Sequence, residues 1–156
     1  MTLMALATIV IALVVGAVLQ GAQGAQGAQG AQGGQGGSSL RVLDKGDQSN
    51  MDDARQAVAR TAVEWNTLWR QHAPDRPQPK VDLTREMVVG VFMGSRPTAG
   101  FAVEIVGTRG EGGGLVVQYR ETRPARGLVT AQVITSAYHI VAVPSRPGDV
   151  KFERAQ

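Results

Sequence analysis

Cysteine is absent from the 156 residues. That excludes disulfides, thiol nucleophiles, cysteine-ligated zinc and a cysteinyl lipid anchor. Charge is absent from the first 40 residues, and all 16 basic and 13 acidic residues lie from Arg41 onward. Aromatic residues make up 4% of the chain and there are two histidines, His72 and His139, 67 positions apart in neither a two-His helix motif nor an EF-hand spacing. No metal site or bound cofactor is therefore expected. The serines stand in no nucleophile-elbow context, so a Ser-His-Asp composition alone predicts no catalytic residue. Arginine outnumbers lysine 13 to 3, but acids dilute the field and few aromatics accompany it, which argues against nucleic-acid binding.

The uncharged start has two parts. Leu3 to Leu19 is almost wholly apolar, at the short edge of a bilayer span, and small residues follow it. Residues 1–20 are expected to be a signal peptide, or a membrane anchor if uncleaved. This would be the chain's only contact with a membrane and would give an extracytoplasmic location. Residues 21–39 repeat Gly, Ala and Gln with a period of three. Collagen needs proline in such a tract, and none is present. A flexible spacer is expected, leaving residues 40–156 as one globular domain.

Within that domain, Ser49 to Arg70 reads as a helix. Ser49 or Asn50 would cap it, with Asp52 and Asp53 in its first turn. Ala54, Ala57, Val58, Thr61, Ala62, Trp65, Leu68 and Trp69 recur three and four apart, which predicts an apolar face anchored by Trp65, Leu68 and Trp69. Trp65 and Trp69 could instead form an aromatic ligand platform. His72 reads as a helix-end histidine favoured by the dipole, with no acidic partner close in sequence. From Val81 the period becomes two. Met87–Met93, Phe101–Val106, Leu115–Tyr119, Leu128–Ile134 and Tyr138–Val143 read as strands, with Val150–Glu153 a short edge. Phe92, Phe101 and Tyr138 are expected to anchor the core. The glycines of Gly110–Gly114 precede a strand rather than a helix, which predicts a hairpin tip and not a phosphate loop. Connections too short for crossover helices predict an α+β fold, one N-terminal amphipathic helix on a largely antiparallel sheet of five to six strands. A β-sandwich or partly closed barrel with a covering helix is the alternative.

The segment Gly94-Ser95-Arg96-Pro97-Thr98-Ala99-Gly100 joins two apolar strands and holds two glycines, a proline and an arginine. Such a rigid polar tip can present binding groups, and Arg96, Pro97, Thr98 and Gly100 are the protein-binding candidates. Its other reading is a turn that only sets register.

The stretch VDLTREMVVGVFMGSRPTAGFAVEIVG, with LVVQYRETRPARG, VTAQVITSAYHIVAVP and VKFE, resembles the C-terminal domain family of PrcB, an accessory subunit of a spirochaete surface protease complex. The resemblance runs from about Val81 to Phe152. It implies a non-catalytic exported domain that binds or stabilises a protein partner, an exported peptidase being the natural choice. Pro97-Thr98-Ala99-Gly100-Phe101 is also similar to a loop of chagasin-type cysteine-protease inhibitors, so inhibition through residues 94–101 is an alternative. A small envelope hydrolase or ligand-binding protein is the third.

Overall fold

The computed structural model describes residues 40–156. The apolar start and the Gly/Ala/Gln tract lie outside the described residues. Seven strands and one helix follow in the order β1 (Arg41–Gly46), β2 (Arg55–Ala59), α1 (Ala62–His72), β3 (Glu86–Phe92), β4 (Ala102–Glu111), β5 (Gly114–Thr122), β6 (Tyr138–Pro144) and β7 (Val150–Arg154). The first sheet is antiparallel with order β1-β6-β3-β2, and the second has order β4-β5-β7 with β5 and β7 parallel.

The period of two along β3 and β6 explains the layering. Val88, Phe92, Tyr138 and Ile140 point to one face and pack with Trp65, Leu68, Trp69 and Ala73 of the helix side. Met87, Val89, Val91, Val141 and Val143 point to the other and pack with Val103, Ile105, Leu115 and Val117 of the second sheet. The first sheet is thus covered on both faces, which is why β3 and β6 are almost continuously apolar. The α+β class and the helix on a largely antiparallel sheet hold. The strands number seven rather than five or six and form two facing sheets, closer to the sandwich alternative; no barrel closes.

The helix is shorter than its pattern predicts. It begins at Ala62, and residues 55–59 form β2. Ala54, Ala57 and Val58 fit a period of 3.6 while Ala57 and Ala59 fit one of two, and pairing with β3 opposite Gly90 and Val88 decides between them. The N-cap is Thr61, not Ser49 or Asn50. Its hydroxyl accepts from the Glu64 N–H at 3.2 Å, while the Glu64 carboxylate accepts from the Thr61 N–H at 3.0 Å, closing a capping box. Residues 128–134 are the second correction: they form neither helix nor strand.

Candidate interaction site

The 94–100 segment leaves β3 through a tight approach. Gly94 has φ +71, and a Cβ there would sit 2.5 Å from the Asp52 carbonyl oxygen and 2.6 Å from the Ala54 nitrogen. Only glycine fits both demands. The Ser95 N–H then donates to the Asp52 carbonyl at 2.8 Å, and the Ser95 hydroxyl donates to the Asp52 carboxylate at 2.7 Å. Asp52 therefore secures the base of this loop, where the sequence suggested helix initiation. Arg96 and Thr135 exchange both backbone hydrogen bonds, at 2.7 and 2.9 Å. The Thr135 hydroxyl donates to the Thr98 carbonyl at 3.0 Å, and the Ala99 N–H donates to the Ala131 carbonyl at 3.0 Å. Gly100, with φ +93, brings the return of the loop against Pro124.

This framework positions the four binding candidates differently. Pro97 and Gly100 are exposed, while Arg96 and Thr98 are partly covered. The Arg96 guanidinium lies 5.9 Å from the centroid of the Phe101 ring and pairs with no carboxylate among the described residues. Phe101 is itself partly buried against the inter-sheet core. Alongside runs the segment 128–134, where Leu128, Val129, Val133 and Ile134 are 65, 101, 50 and 72% exposed. Four large apolar side chains in water on one short stretch are the signature of a contact surface. The sequence reading placed them in a strand; the partner residues Asp52, Thr135 and Ala131 lay too far along the chain for spacing to reveal.

A second cluster lies behind the helix. The His72 ring stands 2.8 Å from the Ser49 hydroxyl through Nδ1 and 3.1 Å from the Asp44 carboxylate through Nε2, and its side chain has no exposure. Arg76 donates to Asp44 at 2.7 Å and to the Tyr138 hydroxyl at 3.1 Å. His72 does end the helix, as expected, and the structure adds an acid that is distant in sequence, Asp44 of β1. Burial pushes the His72 imidazole below its ordinary value although Asp44 opposes this, and the nearby Arg76 charge pushes the same way as burial. Burial alone would raise the Asp44 carboxyl, but hydrogen bonds from His72, Arg76 and Tyr138 outweigh it and hold it low.

Serine, histidine and aspartate thus meet, yet the arrangement is a staple. The Ser49 hydroxyl also accepts the Met51 N–H at 3.2 Å. The imidazole is sealed by Trp69, Phe92 and Tyr138, with ring centroids 5.3, 5.5 and 4.2 Å away. Clefts along β2 and α1, beside Asn50–Asp53 and at the β4–β5 turn are not lined by Ser49 or His72. A substrate needs a concave approach to the nucleophile, and these clefts supply none. Trp65 and Trp69 are 4 and 5% exposed, and their indole N–H groups donate to the Pro79 and Arg76 carbonyls, so they form no open platform. Among the described residues no group of three or more His, Asp or Glu side chains is placed to hold a metal.

The other histidine faces the inter-sheet core. His139 Nδ1 accepts the Ile105 N–H of β4 at 2.8 Å, where a bulge between Ile105 and Gly107 interrupts pairing with β5. Its Nε2 is buried without a partner among the described residues. Burial, reinforced by Lys45, holds the imidazole down to about 4.

Residues 87–144 match the family model described as PrcB C-terminal. The segment belongs to that family. The match spans β3, the 94–101 loop, β4, β5, the 128–134 segment and β6, so the candidate surface lies wholly inside it. No curated protein and no solved structure matches the chain. No helix among the described residues is long and apolar enough to cross a membrane.

Proposed function

We propose that this domain is an exported accessory module that binds and stabilises a protein partner through the end of the molecule formed by residues 94–101 and 128–134. The observation that carries the reading is the pairing of a fixed backbone with outward side chains. Hydrogen bonds to Asp52, Thr135 and Ala131 hold the loop, while Pro97, Gly100 and the apolar side chains of 128–134 face water. A loop already ordered loses little entropy on docking, and Pro97 lowers that loss further. Arg96 contributes a planar cation free of any internal ion pair among the described residues, a group favoured at interface centres.

The partner we favour is an exported peptidase, on the strength of the family's accessory role. In this reading residues 1–20 direct export and either are cleaved or remain as an anchor. Residues 21–39 act as a spacer that holds the domain away from the membrane. Inhibition through the same loop is the second reading, favoured by the exposed Pro97 and Gly100. Affinity capture from the native envelope, followed by mass spectrometry and assay of any captured peptidase, separates the two. A stabilising subunit leaves the peptidase active, whereas an inhibitor suppresses it. Capture of no exported protein by the wild-type chain would overturn both.

A further inference from the structure

The first sheet ends in two strands whose free edges differ. β1 carries a bulge between Val42 and Asp44 and the charged Arg41, Asp44 and Lys45, devices that keep another strand away. β2 pairs with β3 in unbroken register and has no bulge, proline or lysine. The ladder shows which backbone groups of β2 are free. At the two ends of the β3–β6 ladder the Met93 N–H donates to the Ala137 carbonyl and the Ser145 N–H to the Arg85 carbonyl, both at 2.8 Å. Odd-numbered residues of β3 therefore bond to β6 and even-numbered ones to β2, where Phe92, Gly90 and Val88 stand opposite Arg55, Ala57 and Ala59. Gln56 and Val58 turn their N–H and carbonyl groups the other way, and among the described residues no strand lies beyond β2.

Helix α1 walls that edge. Val63, Thr67 and Gln71, four apart, line a cleft of about 420 Å³ with Ala57, Val58 and Leu68. Val63 is 75% exposed although it borders this cleft. Arg55 stands beside Gln71: its guanidinium donates to the Gln71 side-chain carbonyl at 3.1 Å and pairs with no carboxylate among the described residues. The Glu64 carboxylate, which also borders the cleft, is spent on the Arg60 and Thr61 N–H groups at 2.7 and 3.0 Å. A second cleft, along Asn50–Asp53, begins at the same Arg55 and Gln71, so the groove stays open past the guanidinium.

We propose that this groove takes an extended peptide segment of a partner protein as an added strand, antiparallel to β2, with an apolar side chain opposite Ala57 and an acidic one opposite Arg55. The free N–H and carbonyl groups of Gln56 and Val58 bond to its backbone. Arg55 and Ala57 share the α1 side of β2, since Ala57 packs with the helix cluster and Val58 with the inter-sheet one. The small Ala57 leaves room for an apolar side chain beside Val63 and Leu68, and the unpaired Arg55 takes a carboxylate as its cross-strand partner. Because the groove is open past Arg55, that carboxylate belongs to a side chain of an internal segment and not to a chain end. The inference uses none of residues 94–101 or 128–134 and stands apart from the reading of that end.

The probe is a fluorescein-labelled peptide, Val-Thr-Val-Thr-Glu-Thr, whose second valine and glutamate fall opposite Ala57 and Arg55. Its control has lysine in place of the glutamate. Fluorescence polarisation with the whole chain should show the glutamate peptide bound about fivefold more tightly than the lysine peptide. Arg55→Glu changes an exposed side chain that the fold tolerates and should reverse the preference. Amide exchange followed by NMR should show the Gln56 and Val58 N–H groups slowed by the glutamate peptide. N-methylation of the two threonines that face them should abolish both the slowing and the binding. Failure of both peptides to bind at about 1 mM would overturn the proposal. So would a preference that Arg55→Glu leaves unchanged, or binding that slows neither amide. Slow exchange of both amides before any peptide is added would give the edge to a second copy or to residues 1–39, and would overturn it as well.

Discussion

The Asp44–His72–Ser49 cluster and the 94–101 loop both gather polar and aromatic side chains, and they differ in where their bonding capacity is spent. Around His72 it is spent inside. Asp44 takes hydrogen bonds from His72, Arg76 and Tyr138, and the ring is enclosed by three aromatics. Around Arg96 only the backbone is satisfied, while Pro97, Gly100 and the apolar side chains of 128–134 face solvent. Residue types alone favour the first cluster as a site, since it holds a serine, a histidine and an aspartate. Closure makes the first a stabilising element, and incompleteness is the ground for proposing the other end as the surface for a partner.

This contrast predicts the largest effects at the closed end. Trp69→Ala should cost about 3–5 kcal/mol of stability, because it removes a fully packed indole and leaves a cavity beside His72. Denaturant unfolding measures it, and capture of a partner by the fraction still folded should be unchanged. A loss below about 1 kcal/mol would mean that the helix is not held by its tryptophans.

Acid should act next. A histidine held below its ordinary value stays neutral in the folded chain while the unfolded chain takes up a proton. Its contribution is therefore intact above pH 6.5 and is lost as pH falls. For His139, held at about 4 against an ordinary 6.5, the loss between those values is about 3 kcal/mol. His72 adds in the same direction. Asp44, held below its ordinary 3.8, adds a further loss at lower pH. Urea unfolding at a series of pH values tests this, and His139→Gln, which keeps an acceptor for Ile105 but does not titrate, should flatten the slope between pH 6.5 and 4.

A smaller effect sharpens the comparison from the chemical side. Ser49→Ala should cost about 1 kcal/mol through the lost hydroxyl bonds to His72 and Met51. It should leave any background hydrolysis of an activated ester unchanged. Serine-dependent turnover would reopen the catalytic reading.

What the sequence disclosed follows from how far apart the cooperating residues lie. The period of two along 87–93 and 138–143 announced two strands, and the spacing of Trp65, Leu68 and Trp69 announced the buried helix face. Both signals are local. The start of the helix was ambiguous because Ala54–Ala59 fits two periods, and pairing with β3 resolved it. The roles of Asp44, Ser49 and Asp52 were hidden, since their partners His72 and Ser95 lie 23 to 43 positions away. The 94–101 loop stood out because glycine, proline and arginine interrupt two apolar runs. Its lateral support, residues 128–135, looked like one more strand because β-branched residues suit one.

The most direct test of the account compares partner capture with stability at the open end. Arg96→Ala and Thr98→Ala remove side chains while sparing the backbone bonds that hold the loop. With a partner captured by the wild-type chain in hand, both variants should bind it more weakly, by about tenfold for Arg96→Ala, while their thermal melts stay at the wild-type value. Binding equal to wild type in both would show that the loop is only a turn and would contradict the account.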